Sequence, residues 1–258
     1  MRNAQPETPR HLMKESLVLV YGDSLCLPRI DDHVAVSDTY PELLADYLAS
    51  EGLKARVYSR GEGGRTINDH WARYGNDRHF FSPGPDDLLI IHAGMVDCAP
   101  RPLPQRWRRR LERQPGFIRR PIISFIQKNR PLMLKRGLVF YKIDPPDFKK
   151  RIEEWLDHAT KLYSYIAVIS IPPIAQAAED HSPGWRENIV LYNRFLAEAS
   201  ARHPRGVYFV PLYDALSQSQ DVFDRCISPL DGYHLLKAGH RLIYDLIHAF
   251  LEAERRKS

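Results

Sequence analysis

Two short segments at opposite ends of the chain contain the residue types of nucleophilic catalysis. The sequence reads GDSL at 22–25 and DGYH at 231–234. A serine hydroxyl attacks efficiently only when a base takes its proton, and that base needs an acceptor that fixes its tautomer. Asp231 and His234 are three residues apart, so one turn can direct both side chains toward the same point. The pattern predicts Ser24 as nucleophile, His234 as base and Asp231 as the residue that orients the base.

Two further segments have compositions that suit a binding site. Residues 59–66 read SRGEGGRT, and their three glycines allow backbone N–H groups to approach a substrate closely. They lack the Gly-Lys-Ser/Thr ending of a phosphate-binding P-loop. Residues 92–101 read HAGMVDCAPR. An ordinary flexible strand-to-helix loop is the alternative interpretation of the glycine-rich segment.

Hydrophobic patterning predicts the elements that must position these segments. Five apolar runs are typical of strands, at 16–21, 54–59, 87–92, 163–171 and 206–211. Amphipathic helical patterns alternate with them, at 39–50, 147–162, 185–203 and 237–253. Alternating strands and helices indicate βαβ units, a parallel sheet and helices on both of its faces. We therefore predict a single three-layer α/β/α domain over residues 1–258.

Three of the four segments directly follow a predicted strand. In open parallel α/β sheets, ligands bind beyond the carboxyl ends of the strands. The candidate nucleophile, the glycine-rich segment and the segment at 92–101 are therefore expected to meet at one edge of the sheet.

The four segments together resemble the sequence blocks of the SGNH (GDSL) hydrolase superfamily. The motif at 22–25 matches the first block, Gly64 the second, residues 94–97 the third, and Asp231 with His234 the last. The resemblance implies a flavodoxin-like sandwich with about five parallel strands. It also implies ester hydrolysis or acyl transfer without a metal or another cofactor.

The same resemblance assigns roles to individual residues. Ser24 would attack the acyl carbon, while His234 takes its proton and Asp231 orients His234. The backbone N–H groups of Ser24 and Gly64 would form the oxyanion hole. The candidate substrate-binding residues are Asp23, Arg65, Asp97 and Arg101.

One position departs from the family pattern. Val96 occupies the place where the family usually has an asparagine of the oxyanion hole, and valine has no donor. Loss of one such donor typically lowers the rate about 10²–10³-fold. Three interpretations stay open. Arg65, Arg101 or a loop N–H could replace the donor, the enzyme could be slower or tuned to an unusual substrate, or the site could be a degenerate binding site. Residues 94–101 also resemble a Gly-x-Val-Asp-Cys-Ala-Pro-Arg block of SGNH-like bacterial proteins associated with cell-surface polysaccharide assembly.

A strongly basic insert separates the third predicted strand from the next helix. Residues 101–142 contain ten arginines and three lysines against one acid, Glu112, which gives the insert a net charge of +12. Because the whole chain has a net charge of +5, the remainder of the chain has a net charge of −7. Arginine suits bidentate contacts with carboxylate and phosphate. We expect a lid that gathers an anionic substrate. The alternatives are contact with an anionic membrane or a solvated charged face; no nucleic-acid-binding module accompanies the insert.

Composition argues against several classes of protein and of binding site. No run approaches the roughly 18 apolar residues of a membrane span. Three cysteines without CxxC spacing argue against a disulfide scaffold or a zinc knuckle, and the histidines lack metal-site spacing. A cytoplasmic location is expected. The sequence does not indicate an oligomeric state.

The expected function is a serine esterase acting on acylated carbohydrate or on a cell-surface polysaccharide intermediate. Two alternatives stay open at this point. An O-acyltransferase would use the same three residues but pass the acyl group to a sugar hydroxyl. A non-catalytic module would use the basic insert to bind an anionic glycan or lipid.

Overall fold

The fold is a single five-stranded sheet covered by helices on both faces. The computed structural model describes residues 16–51, 55–81, 84 and 87–255, so Lys54, where the second strand was predicted to begin, lies outside the described residues. All strand pairs are parallel, in the order β2-β1-β3-β4-β5. The strands are β1 (Ser16–Gly22), β2 (Ala55–Gly61), β3 (Leu88–His92), β4 (Tyr165–Ile169) and β5 (Val207–Val210). The predicted fold class is confirmed.

Helices follow nearly every strand. They are α1 (Tyr40–Ser50), α2 (Ile67–Asp77), α3 (Met95–Cys98), α4 (Gln105–Glu112), α5 (Gly116–Lys135), α6 (Pro145–Ala159), α7 (Gln176–His181), α8 (Trp185–Ala201), α9 (Leu212–Leu216), α10 (Gln220–Cys226) and α11 (Lys237–Arg255). The four predicted helices correspond to α1, α6, α8 and α11. Helix α6 begins two residues earlier than predicted, because proline is well suited to the first helical turn.

The core lies between the sheet and its two helical layers. Strand β3 is buried along its whole length, as expected for a central parallel strand. Helices α2, α6 and α8 pack together on one face, and α1 and α11 pack together on the other. The fully buried Trp155 and Phe148 anchor α6. The central strands are thereby fixed, and so are the loops at their carboxyl ends.

The basic insert forms two helices. An antiparallel bridge closes its base, where Arg101 and Phe140 exchange backbone hydrogen bonds of 2.8 and 2.9 Å. Helices α4 and α5 follow each other between these residues, and α5 continues through Pro121 and Pro131. These prolines, which usually break helices, explain why sequence patterning did not predict α5. None of the helices in the described ranges is long and apolar enough to cross a bilayer.

Candidate active site

Ser24 lies on a tight turn at the carboxyl end of β1. Asp23 caps a short 3₁₀ helix formed by residues 24–26, accepting a 3.0 Å hydrogen bond from Leu25 N. As the first residue of that helix, Ser24 has a backbone N–H without an intrahelical acceptor. Gly22 permits the close packing beneath the turn, since a Cβ there would lie 2.9 Å from the backbone oxygen of His92.

The structure brings together the three residues predicted to form a triad. His234 Nε2 lies 2.8 Å from Ser24 Oγ, and His234 Nδ1 lies 2.7 Å from Asp231 Oδ2. An ionised carboxylate can only accept, so Nδ1 donates to Asp231, and in neutral His234 this leaves Nε2 free to accept from the Ser24 hydroxyl. This is the tautomer that a general base for Ser24 requires.

Asp231 is held in place by its own loop. Its Oδ1 accepts hydrogen bonds from the backbone N–H groups of Tyr233 (3.2 Å) and His234 (3.1 Å). Burial raises the pKa of Asp231, but the hydrogen bond and charge of His234 outweigh burial and keep that pKa below its ordinary value. The carboxylate is therefore ionised at neutral pH and can stabilise a protonated imidazole.

A hydrogen-bonding network that was not predicted contacts Asp231 and the backbone of His234. Arg29 Nη1 lies 2.6 Å from Asp231 Oδ2, and Arg29 Nε lies 2.8 Å from Asp32 Oδ2. Ser228 Oγ donates to Asp32 Oδ1 at 2.6 Å, and Ser228 N donates to the backbone oxygen of His234 at 2.8 Å. Arg29 follows the first block in an irregular segment, so no sequence pattern marked it.

The glycine-rich loop is tied to the strand that leads to the nucleophile. Glu62 N donates to the backbone oxygen of Gly22 at 3.0 Å, and the following turn closes with a 3.4 Å hydrogen bond from Arg65 N to Glu62 O. Gly64 adopts a φ of +74°, which favours glycine in this turn. Lys142 Nζ donates to the Gly64 oxygen. Arg65 is exposed and forms an ion pair with Glu62, so its substrate-binding role stays a prediction.

Two acids predicted to bind substrate are buried instead. Asp97 is 0% exposed, and its two carboxylate oxygens lie 3.1 and 3.3 Å from Ile67 N at the start of α2. Burial raises the pKa of Asp97 to about 8. Asp23 is also buried, and burial raises its pKa to about 6. A substrate cannot reach either carboxylate without rearrangement, so the structure supports positioning of the loops rather than the predicted substrate contact.

Val96 and Arg101 lie on the segment that follows β3. Val96 is half-buried in the short helix α3, and its side chain offers no donor. Arg101 is half-buried at the base of the insert and lines a cavity of about 270 Å³ between α4 and α5. Of the two arginines considered as a replacement donor, Arg65 pairs with Glu62 and Arg101 lines the cavity of the insert. The backbone N–H groups of Ser24 and Gly64 remain the candidates for an oxyanion hole.

The described part of the chain contains no group of three or more His, Cys, Asp or Glu side chains arranged to hold a metal ion. Cys26, Cys98 and Cys226 are buried free thiols. Burial raises the pKa of Cys26 and Cys98, which disfavours the nucleophilic thiolate. Ser24 is therefore the better candidate for the nucleophile.

A parallel α/β sandwich with a Ser–His–Asp arrangement beyond its strands is an architecture of serine hydrolases. The family model for the GDSL-like lipase/acylhydrolase family matches residues 20–242. The chain belongs to this family, which confirms the predicted superfamily and supports its classification as a hydrolase. No curated protein sequence matches the chain.

Solved structures share the fold at low sequence identity. A lipase/acylhydrolase from Enterococcus faecalis has a TM-score of 0.62 and 18% identity, with 93% of this chain and 96% of that chain covered. The acetylxylan esterase Axe2 from Geobacillus stearothermophilus has a TM-score of 0.58 and 17% identity, with 91% and 92% covered. The esterase EstA from a Pseudoalteromonas species has a TM-score of 0.53 and 10% identity, with 94% and 100% covered.

Proposed function

We propose that the protein is a serine esterase that removes an acyl group from a carbohydrate hydroxyl. The observation that carries the proposal is the continuous chain of contacts from Ser24 Oγ through His234 to Asp231, at 2.8 and 2.7 Å. Family membership supports the ester-hydrolase chemistry. The arrangement has the geometry that lets a serine lose its proton while it attacks.

In the proposed reaction, Ser24 Oγ bonds to the acyl carbon while its proton passes to His234 Nε2. Backbone N–H groups of Ser24 and Gly64 would stabilise the negative oxygen that forms. The tetrahedral adduct collapses, the sugar oxygen leaves, and His234 returns the proton to it. Water then attacks the acyl carbon while its proton passes to His234. The second adduct collapses, His234 returns the proton to Ser24 Oγ, and the acid is released.

Two observations favour a carbohydrate as the alcohol half of the ester. The block at 94–101 resembles that of SGNH-like proteins associated with polysaccharide assembly. An acetylxylan esterase is among the proteins with a similar fold. A cytoplasmic location stays a prediction, supported by three free cysteines.

The test is acetate release from acetylated oligosaccharides by the full-length protein. The Ser24→Ala variant is expected to lose about 10⁴-fold or more in kcat. Ser37→Ala, which removes an exposed serine hydroxyl, is the matched control and should retain full activity. Undiminished turnover of the same esters by Ser24→Ala would contradict the proposal.

Acyl transfer is the second candidate, because it uses the same residues and differs only in the final acceptor. The half-buried position of Ser24 favours it, since shielding from water would let a sugar hydroxyl compete. Product analysis with a second, unacylated sugar present separates the two reactions. Free acid alone indicates hydrolysis, whereas an acylated acceptor indicates transfer. Tight glycan binding without any acyl-enzyme would instead indicate a non-catalytic module.

A further inference from the structure

The strongest unexplained feature is a pair of arginines inside the insert. Arg101 and Arg130 are both half-buried, and the Nε atom of each is buried without a hydrogen-bond partner. Within the described ranges, neither guanidinium has a carboxylate within ion-pairing distance. Arg130 reaches only a neutral acceptor, the backbone oxygen of Pro100, at 2.7 Å. A buried charge without a counter-charge is costly, so this arrangement indicates a ligand that supplies one.

The two arginines line one cavity of about 270 Å³ between α4 and α5. Arg108 lines it as well, and the single acid in its wall, Glu112, is already bonded to Arg108 at 3.1 Å. The remaining wall is largely apolar and includes Leu103 and Ile126. The apolar walls strengthen the attraction of the arginine charges for an anion, because low-dielectric surroundings screen charges poorly.

The cavity lies beside the candidate active site. Arg101 and Arg130 are both close enough to Tyr233 to interact electrostatically with its hydroxyl. The ring of Tyr233 lies 4.3 Å from the ring of His234. Tyr233 therefore lies near both the arginine pair and the base that would act on Ser24. An ester with its acyl carbon at Ser24 could extend past Tyr233 into the cavity.

We propose that Arg101 and Arg130 form a subsite for an anionic group, a phosphate or a carboxylate, carried by the ester that Ser24 cleaves. This deepens the proposed function and rests on it. Guanidinium groups suit both anions, because their planar N–H pairs match two oxygens at once. The subsite would select charged esters over neutral esters with the same acyl group.

Three esters test the subsite: acetylated glucose, acetylated glucuronic acid and acetylated glucose 6-phosphate. They share an acetyl group and a sugar ring but differ in charge at the same carbon. The wild-type protein is expected to show at least about a tenfold higher kcat/KM for one of the charged esters than for acetylated glucose. That preference should fall about tenfold or more in Arg101→Gln and in Arg130→Gln. The charged ester that is preferred identifies the anion.

Arg113→Gln is the matched control, since it removes an exposed insert arginine outside the cavity wall. It should keep the wild-type preference. Equal kcat/KM for all three esters in the wild type would overturn the subsite. So would a preference that persists in both cavity variants.

If none of the esters is hydrolysed, calorimetric titration with glucose 6-phosphate and glucuronate separates the two proposals. Binding by the wild type that is lost in Arg101→Gln would support the subsite while the esterase proposal fails. Absence of binding in the wild type would overturn the subsite as well.

A different observation carries a second inference, on the outer face of α5. Large apolar side chains there are exposed, with Phe117 at 78%, Phe125 at 66% and Leu132 at 48%. Ile118 and Ile122 lie on the same face by helical spacing. The opposite face bears Ile126 and Arg130, which line the cavity, and the buried Leu134. Helix α5 therefore has a second apolar face that points away from the protein.

We infer that this outer face rests on an anionic lipid surface. The insert carries ten arginines and three lysines against one acid, which complements acidic headgroups. Exposed phenylalanine and isoleucine on a basic helix suit burial at the headgroup boundary. Because the insert follows the carboxyl end of β3, docking would bring that edge of the sheet to the lipid surface.

Co-sedimentation with lipid vesicles tests this contact. The full-length protein should pellet with vesicles containing phosphatidylglycerol, and far less with pure phosphatidylcholine vesicles. Replacing both Phe117 and Phe125 by serine should abolish most of this binding, whereas Val190→Ser, an exposed apolar residue on α8, should not. Equal binding to both vesicle types would contradict the inference. A dimer that dissociates in the double variant would assign the face to a second copy of the chain instead.

Discussion

Arg29 and His234 bond to the same carboxylate oxygen, Oδ2 of Asp231, at 2.6 and 2.7 Å. The positive charge of Arg29 competes with the imidazole for that oxygen. It also ties Asp231 to Asp32, and through Ser228 to the backbone of His234. Arg29 is therefore a positioning residue that holds the carboxylate which orients His234.

Removing Arg29 is expected to slow catalysis through Asp231. Arg29→Gln loses the ion pairs to Asp231 and Asp32, which leaves the carboxylate that orients His234 bonded to backbone N–H groups of its own loop. We expect kcat to fall by roughly tenfold with little change in KM, because the orientation of the base matters mainly in the transition state. Arg205→Gln, an exposed arginine before β5, is the control. An unchanged kcat in Arg29→Gln would contradict this positioning role.

Asp231→Asn tests whether the carboxylate fixes the tautomer of His234. The amide oxygen can still accept from the backbone N–H groups of Tyr233 and His234, so the loop should keep its shape. The amide nitrogen would face Nδ1 and favour the wrong tautomer. We expect kcat to fall about 10³–10⁴-fold, measured with any ester that the wild type hydrolyses. A fall of less than about tenfold would show that Asp231 does not act through the tautomer.

Val96→Asn tests whether the oxyanion hole lacks a donor. An added side-chain N–H at this half-buried position could supply the group that the family usually has. We expect kcat to rise by roughly tenfold or more with little change in KM, since such donors act mainly in the transition state. Val96→Ala, which adds no donor, should not raise kcat. An unchanged or reduced kcat in Val96→Asn would mean that another group already serves.

The buried carboxyl of Asp97 predicts a dependence of stability on pH. Its pKa is raised to about 8 from an ordinary value of 3.8, so between these values the folded state holds a proton that the unfolded chain has released. The free energy of unfolding therefore falls as pH rises through this window. Asp97→Asn keeps an acceptor for Ile67 N but removes the ionisation.

The thermal stability of Asp97→Asn relative to the wild type should consequently improve as pH rises from 4 to 8. Asp46→Asn, which replaces an exposed carboxylate, should show no such trend. Melting temperatures across the pH series provide the measurement. A constant difference between Asp97→Asn and the wild type would contradict the buried ionisation.

The sequence was sufficient to predict the sheet and the convergence of Ser24, His234 and Asp231, because hydrophobic periodicity and short motifs are local signals. It was not sufficient for residues that act through long-range contacts. Arg29 meets Asp231 across 202 positions, and Lys142 meets Gly64 across 78. Arg130 is one of ten arginines in the insert, and only the folding of α5 brings it beside Arg101. Burial could not be predicted either, since the position of Asp97 in its motif did not indicate that this side chain is buried at the start of α2.

The central claim is that Ser24 is a nucleophile activated by His234. Treatment with a fluorophosphonate probe, followed by mass spectrometry of the adduct, tests it most directly. We predict a single adduct on Ser24 in the wild type, none on that peptide in Ser24→Ala, and strongly reduced labelling in His234→Ala. A wild-type protein that stays unlabelled at Ser24, under conditions in which a known serine hydrolase reacts fully, would contradict the claim.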